Sequence, residues 1–165
     1  IEEVRGEDEA ALLQRFRAHV GNRSRRAGSQ IRRICLLSGS DDIGSQRVEA
    51  HARLRIRVFG SHCSASGTAV CRVRIVRLDE LLVFQQDFRL ADYSFHDGEA
   101  GIEIDFDPLA LGAAIYRLDA MFLECAADDS EPCSEHSTVF EVFTLTPPAG
   151  GRPMLYYPVT AAAQT

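Results

Sequence analysis

The chain has 165 residues, and 45% of them are hydrophobic, which suits one globular domain with a buried core. Its formal net charge of −6 argues against a nucleic-acid partner, because binding to phosphates needs a basic surface. No stretch approaches the roughly 18 uncharged apolar residues of a membrane span, so we expect no transmembrane helix.

The first predicted element is an amphipathic helix over Glu7–Val20, with acidic residues in its first turn. Its apolar residues recur at helical spacing and are Leu12, Leu13, Phe16 and Val20. Gly21 and Asn22 end the helix, and the polar run Arg23–Ser29 indicates a linker. We therefore expect residues 1–25 to form a helix and a linker ahead of the main domain.

Short segments in which apolar and polar residues alternate follow the linker, as is typical of half-buried β-strands. The predicted strands are Ile31–Leu37, Ala50–Phe59, Cys71–Ile75, Leu81–Phe88, Ile102–Phe106, Ile115–Leu123 and Thr138–Leu145. Asp79 and Glu80 form a tight turn that joins two of them in a hairpin. This pattern predicts an all-β fold, an immunoglobulin-like or jelly-roll antiparallel β-sandwich with a short N-terminal helix.

The sandwich is expected to span residues 26–146. Pro147-Pro148 and Gly150-Gly151 then break the chain ahead of the apolar run Met154–Val159. We expect residues 147–165 to form a C-terminal strand or tail.

Two predicted strands are apolar on both sides. In Ile115–Leu123, Tyr116 and Phe122 lie on one side while Met121 and Leu123 lie on the other, and Thr138–Leu145 has the same character. Strands of this kind need cover on both sides. The N-terminal helix, the C-terminal segment or another subunit must supply the additional layer.

No catalytic motif is present: the chain lacks GxSxG, HExxH, GxxxxGK[ST] and GxGxxG. His96 and Asp97 could form an acid–base pair, but no nucleophile accompanies them and a polar loop tip is the simpler interpretation. Glu103, Asp105 and Asp107 share one strand side and could bind a cation, although a solvated face is favoured because one strand supplies them all. We expect no enzymatic activity, no cofactor and no metal site.

The five cysteines include no CxxC pair, which disfavours a zinc site. Cys125 and Cys133 flank a polar loop and could pair in an oxidising compartment, whereas free thiols are expected in a reducing one.

Arginines form the most prominent polar pattern, with Arg53, Arg55 and Arg57 alternating along one strand and Arg72 and Arg74 along the next. If both strands lie in one sheet, five guanidinium groups share a face suited to binding carboxylates, phosphates or vicinal hydroxyls. The alternative is an outward face that neighbouring acidic residues neutralise. The candidate ligand-binding residues are Arg53, Arg55, Arg72, Arg74, Tyr93, Tyr116, Arg117 and Asp119.

Five motifs follow one another in a distinctive order. The first three are a basic, Gly-containing run that leads into a strand (Arg26–Leu37), an alternating strand (Ala52–Val58) and a hairpin with an acidic turn (Val73–Phe84). The last two are a Pro-Leu segment that leads to a tyrosine (Pro108–Asp119) and an F-x-V strand (Phe140–Val142). This order resembles the C-terminal carbohydrate-binding domain of the nucleotide-binding subunit of O-antigen polysaccharide ABC transporters, the Wzt type.

The resemblance implies an immunoglobulin-like sandwich that binds the end of an exported polysaccharide on the cytoplasmic side, peripheral to the inner membrane. It also implies a homodimer formed by exchange of a C-terminal strand, here Met154–Val159, and an ATPase domain elsewhere in the parent chain. The alternative functions are a protein-interaction or dimerisation sandwich and an accessory domain of a glycan-modifying enzyme.

Overall fold

The structure, a computed structural model, describes residue 14 and residues 21–24, 29–38, 41–42, 47–62, 67–96, 100–126, 130–144 and 160–161. These residues form a sandwich of two β-sheets, so the predicted all-β fold is confirmed. A 3-10 turn at Leu90–Asp92 follows β7. The strands are β1 (Gly21–Ser24), β2 (Gln30–Ser38), β3 (Asp41–Asp42), β4 (Arg47–Glu49), β5 (Leu54–Ser61), β6 (Val70–Arg77), β7 (Leu82–Arg89), β8 (Ile102–Phe106), β9 (Ala114–Leu123), β10 (Ser134–Phe143) and β11 (Thr160–Ala161).

The six-stranded sheet has the order β1-β10-β9-β6-β7, and β4 lies beside β1 on the same edge of β10. The five-stranded sheet has the order β11-β8-β5-β2-β3. Among the described strands, every pair is antiparallel except β4 with β10.

The core lies between the sheets and takes the inward side chains of each alternating strand. On β5, Leu54, Ile56 and Val58 are fully buried, whereas Arg55 and Arg57 point outward and are partly exposed. Burial of one such apolar side chain contributes about 1.5–3 kcal/mol, so the period-two pattern fixes which side of each strand faces inward.

The hairpin between β6 and β7 turns at Asp79 and Glu80, as predicted. The Arg77 N–H donates to the Leu81 carbonyl at 2.9 Å, and Glu80 adopts a φ of 62°. The Arg77 guanidinium donates to both carboxylate oxygens of Asp79, at 2.9 and 2.6 Å, and this contact holds the pKa of Asp79 below its usual value.

Two structured segments differ from the expectation. The strand predicted to begin at Ala50 begins at Leu54, because Ala50 and His51 form a turn whose N–H groups bond to Phe143 and Leu109. Gly21–Ser24, predicted as a helix end and linker, is a strand on β10. Short edge strands of this kind carry too little periodicity to be recognised in a sequence.

The predicted helix Glu7–Val20 lies outside the described residues except for Gln14, which is helical and exposed. The run Met154–Val159 also lies outside them, and Thr160–Ala161 pairs with Asp105 and Ile104 of β8. The domain boundaries at 26 and 146 stay predictions.

Cys125 and Cys133 form no disulfide with each other: the Cys125 Sγ lies 3.0 Å from the Ser130 Oγ, and the Cys133 thiol donates to the Phe122 carbonyl at 3.1 Å. Burial raises the pKa of the Cys71 thiol well above its usual value, so this side chain acts as a small apolar core residue.

Candidate functional site

The topology separates the predicted arginine cluster into two groups. β5 belongs to the five-stranded sheet and β6 to the six-stranded sheet, so Arg53, Arg55 and Arg57 lie on the opposite side of the sandwich from Arg72 and Arg74. The condition for a single five-arginine face, a shared sheet, is not met. The molecule instead carries two separate outer faces with arginine–carboxylate pairs.

The first is the β5–β8 face, defined by Arg53, Arg55, Arg57, Glu103 and Asp105. The register places Arg55 opposite Asp105 and Arg57 opposite Glu103 on neighbouring strands. The Arg57 Nε donates to Glu103 at 2.6 Å, and the Arg53 Nε lies 2.9 and 3.0 Å from the two Asp105 oxygens. The charges of the face alternate in space and largely neutralise each other.

Two properties make the β5–β8 face reachable and ordered. Its side chains keep 24–48% of their surface exposed, and each carboxylate contacts at least one arginine. The hydrogen bond from Arg53 lowers the pKa of Asp105, which keeps this carboxylate ionised.

An aromatic ring adjoins this face. Phe59 follows Arg57 on the same side of β5, and the guanidinium of Arg33 on β2 lies 4.1 Å from the centre of its ring. Such a contact contributes about 0.5–1 kcal/mol at an exposed site and holds the ring in place.

Arg55 has an unused donor on the β5–β8 face. Its Nε is buried and makes no hydrogen bond, although Glu103 Oε1 lies only 3.1 Å away, because the N–H does not point at that oxygen. A small shift of Glu103 would satisfy this donor, while the rest of the Arg55 side chain keeps 26% of its surface exposed.

The second outer face with arginine–carboxylate pairs is the β6–β9 face, defined by Arg72, Arg74, Arg117, Asp119 and Met121. Here the charged groups are buried: Asp119 is 1% exposed, Arg72 5% and Arg117 8%. The sequence correctly placed Arg117 and Asp119 on the outward side of β9, but that side is not accessible at these residues.

Hydrogen bonds satisfy most of the buried charges on the β6–β9 face. Arg72 donates to both oxygens of Asp87, at 2.8 and 2.9 Å, and to the Ala126 carbonyl at 2.8 Å. Asp119 accepts from Arg117 Nε at 2.9 Å and from Ser137 Oγ at 2.8 Å. These groups fix one another in place.

Arg74 is the exception on that face. Its Nη2 lies 3.5 Å from Asp119, at the limit of a hydrogen bond, and its buried Nε has no partner. The side chain is 32% exposed, so solvent or a ligand can reach its guanidinium.

The two candidate tyrosines occupy other places. Tyr116 lies in the core, stacked on Phe140 with ring centres 5.6 Å apart, and its hydroxyl donates to the Gly112 carbonyl at 2.9 Å. A tyrosine bonded to backbone a few residues upstream is the tyrosine corner of β-sandwiches, so Tyr116 serves the fold. Tyr93 is half-buried against Phe88, and burial raises its pKa.

A cleft of about 690 Å³ lies at one end of the six-stranded sheet, and its lining includes Arg77, Asp79, Ile115, Glu141 and Phe143. Sequence reasoning missed it, because the hairpin turn, the start of β9 and the end of β10 meet there only in the folded chain. No local pattern marks such a convergence.

Among the described residues, no helix is long and apolar enough to cross a membrane. In the same part of the chain, no group of three or more His, Cys, Asp or Glu side chains could hold a metal ion. Glu103 and Asp105 are engaged by arginines instead.

No family model and no curated protein sequence matches this chain. A solved structure, described as the crystal structure of the C-terminal domain of Wzt, matches with a TM-score of 0.52 and 16% sequence identity. The match covers 87% of this chain and 89% of that chain. The similarity that the sequence motifs predicted is therefore confirmed for the fold: this chain folds like the C-terminal domain of Wzt.

Proposed function

We propose that this chain is a non-catalytic domain that binds a polysaccharide through the β5–β8 face. The observation that carries the proposal is the exposed ladder of Arg53, Arg55, Arg57, Glu103 and Asp105, whose side chains are both accessible and held in position. The corresponding charged groups of the β6–β9 face are buried, so they offer a ligand little surface.

The chemistry of the ladder suits a hydroxyl-rich ligand. Guanidinium groups present parallel donors and carboxylates present acceptors, which together match vicinal hydroxyl groups. Because the pairs already hold these groups in place, binding immobilises few new side chains and costs less conformational entropy. Phe59, beside Arg57, is only partly buried, and the part of its ring that the Arg33 guanidinium leaves uncovered offers an apolar surface for the C–H side of a sugar ring.

The polymer that we propose is a bacterial surface polysaccharide of the O-antigen type, bound on the cytoplasmic side for export by an ABC transporter at the inner membrane. The motif order from Arg26 to Phe143 and the fold shared with the C-terminal domain of Wzt support this assignment. In this function the domain supplies recognition and an ATPase domain supplies the energy.

Titration of the chain with the purified, lipid-free O-polysaccharide of the organism that encodes it tests the proposal. Arg55→Ala should weaken binding about tenfold to a hundredfold, since a hydrogen bond to a charged group contributes about 1.5–3 kcal/mol. Arg74→Ala is the matched control, because Arg74 is a partly exposed arginine on the opposite face.

Unchanged affinity in both variants, with intact circular dichroism, would show that neither face binds the polymer. Loss of binding in Arg74→Ala alone would move the site to the β6–β9 face. Absence of binding by the unmodified chain would contradict the proposed function itself.

The second candidate function, dimerisation, is favoured by the edge of β8. Thr160–Ala161 adds to this edge as β11, so the edge accepts a strand from the C-terminal end of the chain. We propose that in a homodimer the same edge takes the C-terminal strand of the partner. Ala161→Pro removes a backbone donor from β11 and should lower the mass measured by light scattering to that of the monomer, whereas Gln164→Pro should not.

A further inference from the structure

The outer side of the six-stranded sheet contains apolar side chains that point away from the core yet are hidden from solvent. Val70, Met121 and Leu123 form a small cluster of their own there, only 2–6% exposed. They adjoin the buried charges of Arg72 and Asp119 on the same side of the sheet. The described strands form two layers and provide no third sheet over this side.

We infer that the segment before Gly21 covers the β6–β9 face, with Leu12, Leu13, Phe16 and Val20 packed on Val70, Met121 and Leu123. The inference is independent of the proposed glycan site, which lies on the opposite sheet. It identifies the additional layer that a strand apolar on both sides requires.

The points where the two ends of the chain join the sandwich favour the N-terminal segment over the C-terminal one. β1 joins the six-stranded sheet, with Gly21 opposite Ser137, and Ser137 donates to Asp119 of the β6–β9 face. β11 joins the five-stranded sheet through β8. The N-terminal segment is thus tethered beside the covered face, whereas the C-terminal end is attached to the other sheet.

The backbone at the junction suits a change of direction. Gly21 has a φ of 155°, a conformation open to glycine, and no atom lies within 4 Å of the position that a Cβ would take. The chain can therefore leave the plane of the sheet immediately before β1.

The length of the predicted helix matches the distance to be covered. A 14-residue helix over Glu7–Val20 is about 21 Å long. From Gly21 on β1 to Val70 on β6 the path crosses three strand spacings and about four residues, roughly 20 Å along the diagonal. The helix is long enough to lie over the whole cluster.

The polarity of the segment agrees with this placement. Gln14, which lies off the apolar stripe, is helical and exposed, as expected if the stripe itself faces the sheet. The first turn contributes Glu7, Asp8 and Glu9, and the covered face contributes arginines, including Arg72. Acidic residues at the helix start and arginines beneath it are complementary.

The chain contains no tryptophan, so one introduced into the segment is a unique fluorescent reporter. In the full chain, Phe16→Trp should give blue-shifted emission and resist quenching by acrylamide. Gln14→Trp, the matched control on the polar side, should give the red-shifted emission of a solvent-exposed indole. Equal emission and quenching in the two variants would overturn the inference.

A second substitution tests whether the β6–β9 face is the surface that hides the reporter. Met121→Asp in the Phe16→Trp chain should shift the emission to the red, whereas Leu82→Asp, at an exposed site, should not. If Met121→Asp fails to fold, Met121→Ala serves instead and should increase acrylamide quenching. If neither Met121 variant changes the emission or the quenching of the Phe16→Trp chain, the inference is overturned.

Dilution distinguishes the chain's own segment from that of a second copy. Emission from Phe16→Trp that stays constant from micromolar to nanomolar concentration supports cover within one chain. A red shift on dilution would show that a second copy supplies the cover and would overturn the inference.

Discussion

The two outer faces of the sandwich contain the same kinds of residue but differ in access. On the β5–β8 face, Arg53 and Asp105 are 48% and 28% exposed, so water screens their attraction and the pair contributes little to stability. On the β6–β9 face, Arg117 and Asp119 are almost fully buried, so protein groups replace water as their partners, and Asp119 accepts hydrogen bonds from both Arg117 and Ser137. Arginine–carboxylate pairs of the same composition are thus accessible to solvent on one side of the sandwich and part of its buried structure on the other.

Removal of one carboxylate from each face should produce the largest difference between them. Asp119→Ala leaves Arg117 and Ser137 without the buried acceptor that both use, and should lower the free energy of unfolding by about 3–5 kcal/mol. Asp105→Ala breaks a partly exposed pair and should cost about 1 kcal/mol or less. Urea denaturation followed by circular dichroism measures both.

Equal losses in the two variants would show that the faces are equally accessible, contrary to the structure. Asp119→Asn provides a check on size, because it keeps the shape of the side chain while removing its charge. The free energy of unfolding of Asp119→Asn should lie between that of the unmodified chain and that of Asp119→Ala.

Truncation of an outward apolar side chain should give the next largest effect. Leu123→Ala removes a side chain that is 2% exposed on the outer side of β9. It should lower the free energy of unfolding by about 2–4 kcal/mol. Leu82→Ala removes one that is 49% exposed at the hairpin and should change stability by about 0.5 kcal/mol or less. Thermal unfolding measures the loss of stability in both variants. Similar losses would mean that the outer side of β9 is open to solvent.

The fold was predictable from the sequence because it depends on local alternation. Leu54, Ile56 and Val58 repeat every second residue, and Asp79 with Glu80 provides a turn between two such runs. Each of these signals lies within about ten residues of chain, so the strands and the hairpin could be recognised. The short strands β1, β4 and β11 contain two to four residues and gave no such signal.

The site was less predictable because it depends on contacts between distant segments. Alternation identified Arg55 and Arg74 as outward, but sheet membership places them on opposite sides, and membership follows from pairing with β8 and β9. Alternation also cannot tell whether an outward side is covered, as Asp119 shows. Tyr116 looked available for a ligand and instead anchors the fold through Gly112.

Acid titration should give the smallest of these effects on stability, and it tests the pairing of Arg53 with Asp105 on the β5–β8 face. The hydrogen bond from Arg53 lowers the pKa of Asp105 in the folded chain below its unfolded value of about 3.9. A lowered folded pKa means that the unfolded state takes up the proton first as the pH falls. The stabilisation from Asp105 is therefore fully present above about pH 4–5 and is lost as the pH drops through the folded pKa.

Asp105→Asn removes this titration while keeping the size of the side chain. The difference in urea midpoint between Asp105→Asn and the unmodified chain should be constant from pH 7 to about pH 5 and should shrink as the pH falls below about 4. In the Arg53→Ala chain the addition of Asp105→Asn should show less shrinkage, because the hydrogen bond that contributes most to the lowered pKa is gone and only the weaker attraction of Arg55 remains. A difference that persists undiminished in acid would mean that Arg53 and Asp105 do not pair in solution, and the β5–β8 face would lose the order that the proposed ligand needs.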